Sequence, residues 1–494
     1  MHLHLTQGAT IIAADSPKLN ETTGYMGGTY DLAEPNTAWD GYQDYGHNHW
    51  HNSLIWGEDI SDVSITGPGL IWGKGLSYGI GPGRAPNSQG SGTHPMGAPE
   101  NPKEVQDAAA RAEAAARAAA FAARQRRPGR GDYTVFQAEQ AGVGNKAIAM
   151  KNCRNVIFRD FSILKGGHFG LLLTGVDNLT IDNLKIDTDR DGMDIDCCRN
   201  VRVSNCTVNS PWDDGICPKS SFALGYNRAT ENVTITNCYV TGAYRLGTVL
   251  DGTWKKFNME EDHRVGGTGR IKCGTESNGG FKNITISNCV FDGCHGLALE
   301  TVDGALLEDI AVSNITMRDI ISCPIYLRLG ARLRGPKGTG DQSTVMGTLQ
   351  RVLISNLTCY HSAAKFGSNI TGLPGYNVKD LKIADVYVQH VGGGTSEQAK
   401  VVVPEKENSY PDPGSLGTLP AHGFYFRHVD RLEMSHVEVQ PATADARPCI
   451  YTDDVHRADF FAITAPSSPA AFSFNNSTDI RVRMSRAAED STLA

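Results

Sequence analysis

The sequence predicts an all-β chain: a parallel β-helix, that is a solenoid, with one inserted surface α-helix. Three observations carry that reading. Short runs of alternating apolar and polar residues recur along the whole chain. Their tight intervals are about 22 to 29 residues, inside the range of stacked repeats. Helical periodicity is nearly absent outside one insert.

The runs begin with DVSITGPG from Asp62, NVIFRDFSI from Asn155, NLTIDNLKI from Asn178 and NVRVSNCTV from Asn200. NVTITNCYV from Asn232, NITISNCVF from Asn283, DIAVSNITM from Asp309 and RVLISNLTC from Arg351 continue the series. DLKIADVYV from Asp380 and RLEMSHVEV from Arg431 close it. Longer intervals hold Gly- and Pro-rich inserts, which read as loops on one face. Several runs contain N-x-T. Asn is a turn residue that tolerates special backbone angles, so these sites read as coil turns and not as glycan acceptors. The chain is read as one β-helix domain over 1–494, with a helical insertion at 97–134 and a last coil and tail at 466–494. The insertion holds NPKEVQDAAARAEAAARAAAFAAR from Asn101, whose early Pro and Ala/Arg/Glu content suit a solvated helix.

The 494 residues carry a formal net charge of −8, which argues against a general nucleic-acid binder. A few local cations can still make a cleft attractive to an anionic substrate. No apolar run is long enough to span a membrane, and MHLHLTQGATI reads as a strand rather than a signal peptide. Cys206, Cys238 and Cys289 recur at matching points of successive repeats. That placement favours stacked, buried free thiols over disulfides.

The chain's chemistry gathers in Asp189 to Ser221. Asp191 lies about 22 residues before Asp213 and Asp214, which is one solenoid turn. Stacking would bring the three acids into one patch. Glycoside hydrolysis uses such a patch, with one acid to protonate the leaving oxygen and another to activate water. His168 falls one coil before Asp191, so it can line the same face. Arg270 and Lys272 alternate on a strand and can both point outward. Two fixed cations beside three acids suit a carboxylated sugar. His47, His49 and His51 alternate too; three histidines on one face could ligate a metal. No partner is fixed by spacing, so a substrate-lining or surface role is preferred and no metal or cofactor is assigned.

These residues resemble the polygalacturonase-like family-28 glycoside hydrolases. That family's signatures are N-T-D, D-D, G-H-G and R-I-K, in that order. Here D-R-D ending at Asp191, WDDGICPKSS with Asp213, Asp214 and Lys219, and GRIKCGTESNGG with Arg270 and Lys272 are similar to the first, second and fourth. The resemblance covers residues 7–319. It implies a right-handed β-helix that cleaves α-linked galacturonic acid or a related uronide in pectic polysaccharides, with inversion, in a secreted or periplasmic setting. It implies Asp213 as general acid, Asp191 and Asp214 as the residues that position and activate water, and Arg270 and Lys272 as substrate-binding.

The chain also departs from the pattern. Tyr244, Arg245, Leu246 and Gly247 stand where the family has G-H-G, so the histidine is missing and Arg245 joins the substrate-binding candidates. Glu276 adds a carboxylate near the proposed subsite, which leaves room for a rhamnogalacturonan or another uronide. The chain begins near the family's L-x-x-G-A-T strand, so the family's opening coil is expected to be missing here, with either a trimmed start or another element over the exposed edge. Inserts at 332–346 and 395–420 would narrow the cleft and favour exo attack. Two other readings stay open: a β-helix lyase or epimerase, and a carbohydrate-binding β-helix without catalysis. The expected partner is a pectic polysaccharide or oligosaccharide, with no nucleic acid and no membrane.

Overall fold

The computed structural model describes residues 1–18, 21–43, 47–77, 140–246, 248–253, 255–256, 267–337, 344–363, 367–467 and 470–494, with side chains in 244–246 and 255–256 outside that description. The expected helix at 97–134 therefore lies outside the described residues. Among the described residues there is no α-helix, only short 3₁₀ turns such as Tyr25–Gly27 and Asp40–Tyr42. No described helix is long and apolar enough to cross a membrane.

The chain winds as a parallel β-helix. One face stacks Ser61–Thr66, Arg154–Arg159, Asp177–Asp182, Arg199–Ser204 and Thr230–Thr236 in parallel, then continues into Phe281–Asp292 and Leu306–Arg318. A second face stacks Ser162–Leu164, Lys185–Asp187, Thr207–Asn209 and Tyr239–Thr241. The third face runs through Ile55–Glu58, Lys146–Lys151, Phe169–Thr174, Asp191–Asp196 and Ile216–Lys219. It continues with Lys272–Cys273, Leu297–Thr301, Ile325–Leu329 and Ser368–Thr371. The strands Ile450–Phe461, Phe472–Asn475 and Thr478–Arg483 extend the stack to the C-terminal end.

Register explains the core. Val156, Leu179, Val201, Val233, Ile284, Ile310, Val352, Leu381 and Leu432 pair one above the next on the first face. All point inward and are buried. Each such aliphatic side chain contributes about 1.5–3 kcal/mol on full burial, so the alternation read in the sequence fixes which side of every strand faces in. All twelve cysteines are free and buried.

The corners between faces explain the recurrent asparagines. Asn155, Asn178, Asn200, Asn232 and Asn283 have φ between 53° and 58°. Asn tolerates this left-handed region because its short amide can bond locally. The amides also bond to one another along the stack: Asn178 donates to Asn155 at 2.8 Å and Asn283 to Asn232 at 2.8 Å. A second column contains Asn183, Asn205, Asn237, Asn288, Asn314 and Asn356, again at positive φ.

Candidate active site

The third face carries the acids. Met193 and Ile195 enter the core, which leaves Asp194 and Asp196 on the outer side of the same strand. Asp191 opens that strand, and the Gly192 amide donates to the Asp214 carbonyl at 3.0 Å, so the two acids sit on adjoining coils. Gly192 permits that approach, because a Cβ there would meet the Gly215 carbonyl oxygen at 2.4 Å. The structure brings Asp191, Asp213 and Asp214 together: one carboxylate oxygen of each lies within 4.8 Å of the others.

Their settings differ. Asp191 is buried, and its carboxyl is pushed well above the usual range by burial, then by the neighbouring charges of Asp194 and Asp213. Asp214 is equally buried, but Lys272 and Arg270 overrule the burial and hold its carboxyl well below the usual range. Arg270 Nε donates to Asp214 at 2.8 Å and Lys272 Nζ at 3.0 Å. Asp213 is the most open of the three and pairs with Arg190 at 2.7 Å.

The expected cations lie on the expected side of the chain. Ile271 and Cys273 join the core, so Arg270 and Lys272 leave it on the other side. Yet they are 4% and 1% exposed, under a strap formed by residues 401–420. Tyr410 of that strap accepts from Thr275 Oγ1 at 2.9 Å and from Lys272 Nζ at 3.4 Å. Arg328 and Arg427, two coils apart, pin the strap by donating to the carbonyls of Glu405 at 2.7 Å and Val403 at 2.7 Å. The insert at 332–346 contributes Arg332, which binds Asp303 through Nε at 2.9 Å.

Lys219 donates to Glu276 at 3.1 Å and lies 3.9 Å from Asp194, so Lys219 and Glu276 form one buried pair. His168 is buried one coil before Asp191 and stacks on Phe169 at 4.2 Å between ring centroids. Burial, then the charge of Arg190, pushes its imidazole well below the ordinary value, so it is neutral. The Arg245 side chain lies outside the described residues.

The N-terminal histidines do not share a strand face, because no residue of 47–52 is in a strand. His47 bonds to Asp194 at 2.9 Å, His49 to Asn36 at 3.1 Å, and His51 to Glu58 at 2.8 Å. The sequence reading missed Arg190, Glu300, Tyr410 and Arg332. Arg190 had a local signal, since it stands between two aspartates in D-R-D. The other three come from distant coils and loops.

The family model for the "right handed beta helix region" matches residues 129–253. No curated protein matches the chain. Among solved structures, the family 28 exopolygalacturonase of Yersinia enterocolitica is similar at 15% identity and a TM-score of 0.51, covering 97% of this chain and 69% of that one. The hyperthermoactive exopolygalacturonase of Thermotoga maritima is similar at 16% identity and a TM-score of 0.45, covering 79% of this chain and 75% of that one. A surface adhesin of Streptococcus pneumoniae is similar at 15% identity and a TM-score of 0.41, covering 100% of this chain and 82% of that one. The family match and the Yersinia likeness show the fold: a right-handed parallel β-helix.

Proposed function

We propose that the protein is a glycoside hydrolase that cleaves a bond within a polysaccharide. One observation carries the proposal: three carboxyls within reach of one another, of which Asp191 is set to keep a proton and Asp214 to stay ionised. Hydrolysis of a glycosidic bond needs that division, an acid for the leaving oxygen and a carboxylate for the water. The resemblance to family-28 enzymes adds inversion at the anomeric carbon and makes pectic polysaccharides, with their acidic and neutral sugars, the substrate class. With three acids, two can grip the water while the third meets the glycosidic oxygen. A secreted or periplasmic place of action goes with such a substrate.

The lyase reading needs a divalent cation among the acids. The donor set does not fit one, because Arg190, Arg270 and Lys272 already pair with Asp213 and Asp214. The non-catalytic reading leaves the burial of Asp191 beside the acidic Asp194 and Asp213 as a cost without a use. Incubation with pectic and neutral polysaccharides tests the proposal. New reducing ends without an unsaturated, ultraviolet-absorbing product are expected, and proton NMR of the first product should show the inverted anomer. An unsaturated product rejects hydrolysis, and a retained anomer rejects the inverting mechanism.

A further inference from the structure

The cations around the acids have already been claimed by the protein. Arg270 lies 2.8 Å from Asp214 and 3.8 Å from Glu300. Lys272 lies 3.0 Å from Asp214 and 3.8 Å from Glu300. Lys219 pairs with Glu276 at 3.1 Å, Arg332 lies 3.8 Å from Glu276 and binds Asp303, and Arg190 pairs with Asp213 at 2.7 Å. The side chains of Glu276, Glu300 and Asp303 are fully buried. A substrate carboxylate reaching for Arg270 or Lys272 would have to displace Asp214 or Glu300, or lie against them. Like charges brought together without water between them are costly.

The same face offers polar groups suited to hydroxyls. Tyr326 stands opposite Ala298 and Asn369 on the next coils, and the Glu300 charge acts on its phenol. The Tyr326 hydroxyl, both amide atoms of Asn369 and Glu300 Oε1 are buried with no hydrogen-bond partner among the described residues. Buried polar groups are nearly always satisfied, and a sugar hydroxyl can donate to the Asn369 and Glu300 oxygens, accept from the Asn369 NH2 and do either with the Tyr326 hydroxyl. From the paired cations beside the acids and these orphaned groups on the following coils of the same face, we infer that the sugar units bound along this face are neutral and rich in hydroxyls, not uronates. Glu276 and Glu300 then act as built-in carboxylates that fill the positions a uronate would take. This inference rests on the hydrolase reading for the cleavage step only.

Polygalacturonate and its carboxyl-reduced polymer share one backbone linkage and differ in charge, so they make the direct probe, alongside neutral galactan, arabinan and glucan oligosaccharides. The full chain should bind a neutral oligosaccharide at least about tenfold tighter than trigalacturonate, with affinity unchanged by added salt, because no ion pair with the ligand forms. Glu300→Gln and, separately, Glu276→Gln should narrow that gap by weakening the repulsion of trigalacturonate. Tighter, salt-sensitive binding of trigalacturonate to the unmodified protein overturns the inference whether or not either variant folds. So does binding of no neutral sugar in the panel. Neutral binding without new reducing ends would sink the hydrolase reading and leave the inference standing, whereas preferential cleavage of polygalacturonate would do the reverse.

Discussion

Asp191, Asp213 and Asp214 are the same side chain in three electrostatic settings. The resemblance implies Asp213 as the proton donor, whereas burial and the charges of Asp194 and Asp213 raise the carboxyl of Asp191. The signs give a pH window. On the hydrolase reading Asp214 works ionised, and its lowered pKa keeps it so until the pH falls below the ordinary Asp value of 3.8. On the same reading Asp191 works protonated, and its raised pKa extends that form above 3.8. Activity should therefore follow a bell whose basic limb belongs to Asp191, read as an apparent value of the coupled cluster. Asp191→Asn should abolish that limb and lower kcat by at least about a hundredfold. A nitrophenyl glycoside needs less protonation and should recover most of the loss in the variant that lacks the donor. Recovery in Asp213→Asn instead of Asp191→Asn would place the donated proton on Asp213 at the moment of cleavage.

The repeated element is a coil whose corner residue sits at positive φ, and one corner shows what that costs. Asn205 has a φ of 57°, donates to Asp182 at 2.8 Å and accepts from Asn237 at 3.3 Å. Asn205→Gly keeps the backbone angle available and loses only solvent-exposed bonds. Asn205→Ala must also place a Cβ in the left-handed region, so it should be less stable than the Gly variant by about 1 kcal/mol in thermal or urea unfolding. Equal losses would mean that the ladder bonds, not the backbone angle, select Asn. Elements of this kind were legible in the sequence, because alternation and turn chemistry are local signals repeated many times. The D-R-D, W-D-D and R-I-K segments were legible as well, since each lies within one strand or corner. The strap was not. Tyr410 reaches Lys272 across 138 residues, and His47 reaches Asp194 across 147. Periodicity does not say where a loop will land. Nor could it show that Arg270 and Lys272, correctly read as leaving the core, would be covered and paired.

At the scale of the whole molecule, a solenoid holds together through contacts between neighbouring coils. An interior coil is covered on two sides and a terminal coil on one, so opening should begin at the ends. Its cysteines give a probe of that order without added labels. Cys153 lies on an early coil and Cys449 on a late one, while Cys206, Cys238 and Cys289 stack in the middle, and all of them are buried and free. Burial raises the thiols of Cys153, Cys198 and Cys449, which further slows their reaction while the fold is closed. Without denaturant a thiol reagent should therefore modify none of the twelve quickly. In urea just below the unfolding midpoint, pulse alkylation read by mass spectrometry should label Cys449 and Cys153 before Cys238. Simultaneous labelling of all three would mean that residues 1–494 open as one cooperative unit. Early labelling of Cys238 would place the weakest coil beside the acid cluster, where buried charge replaces apolar packing.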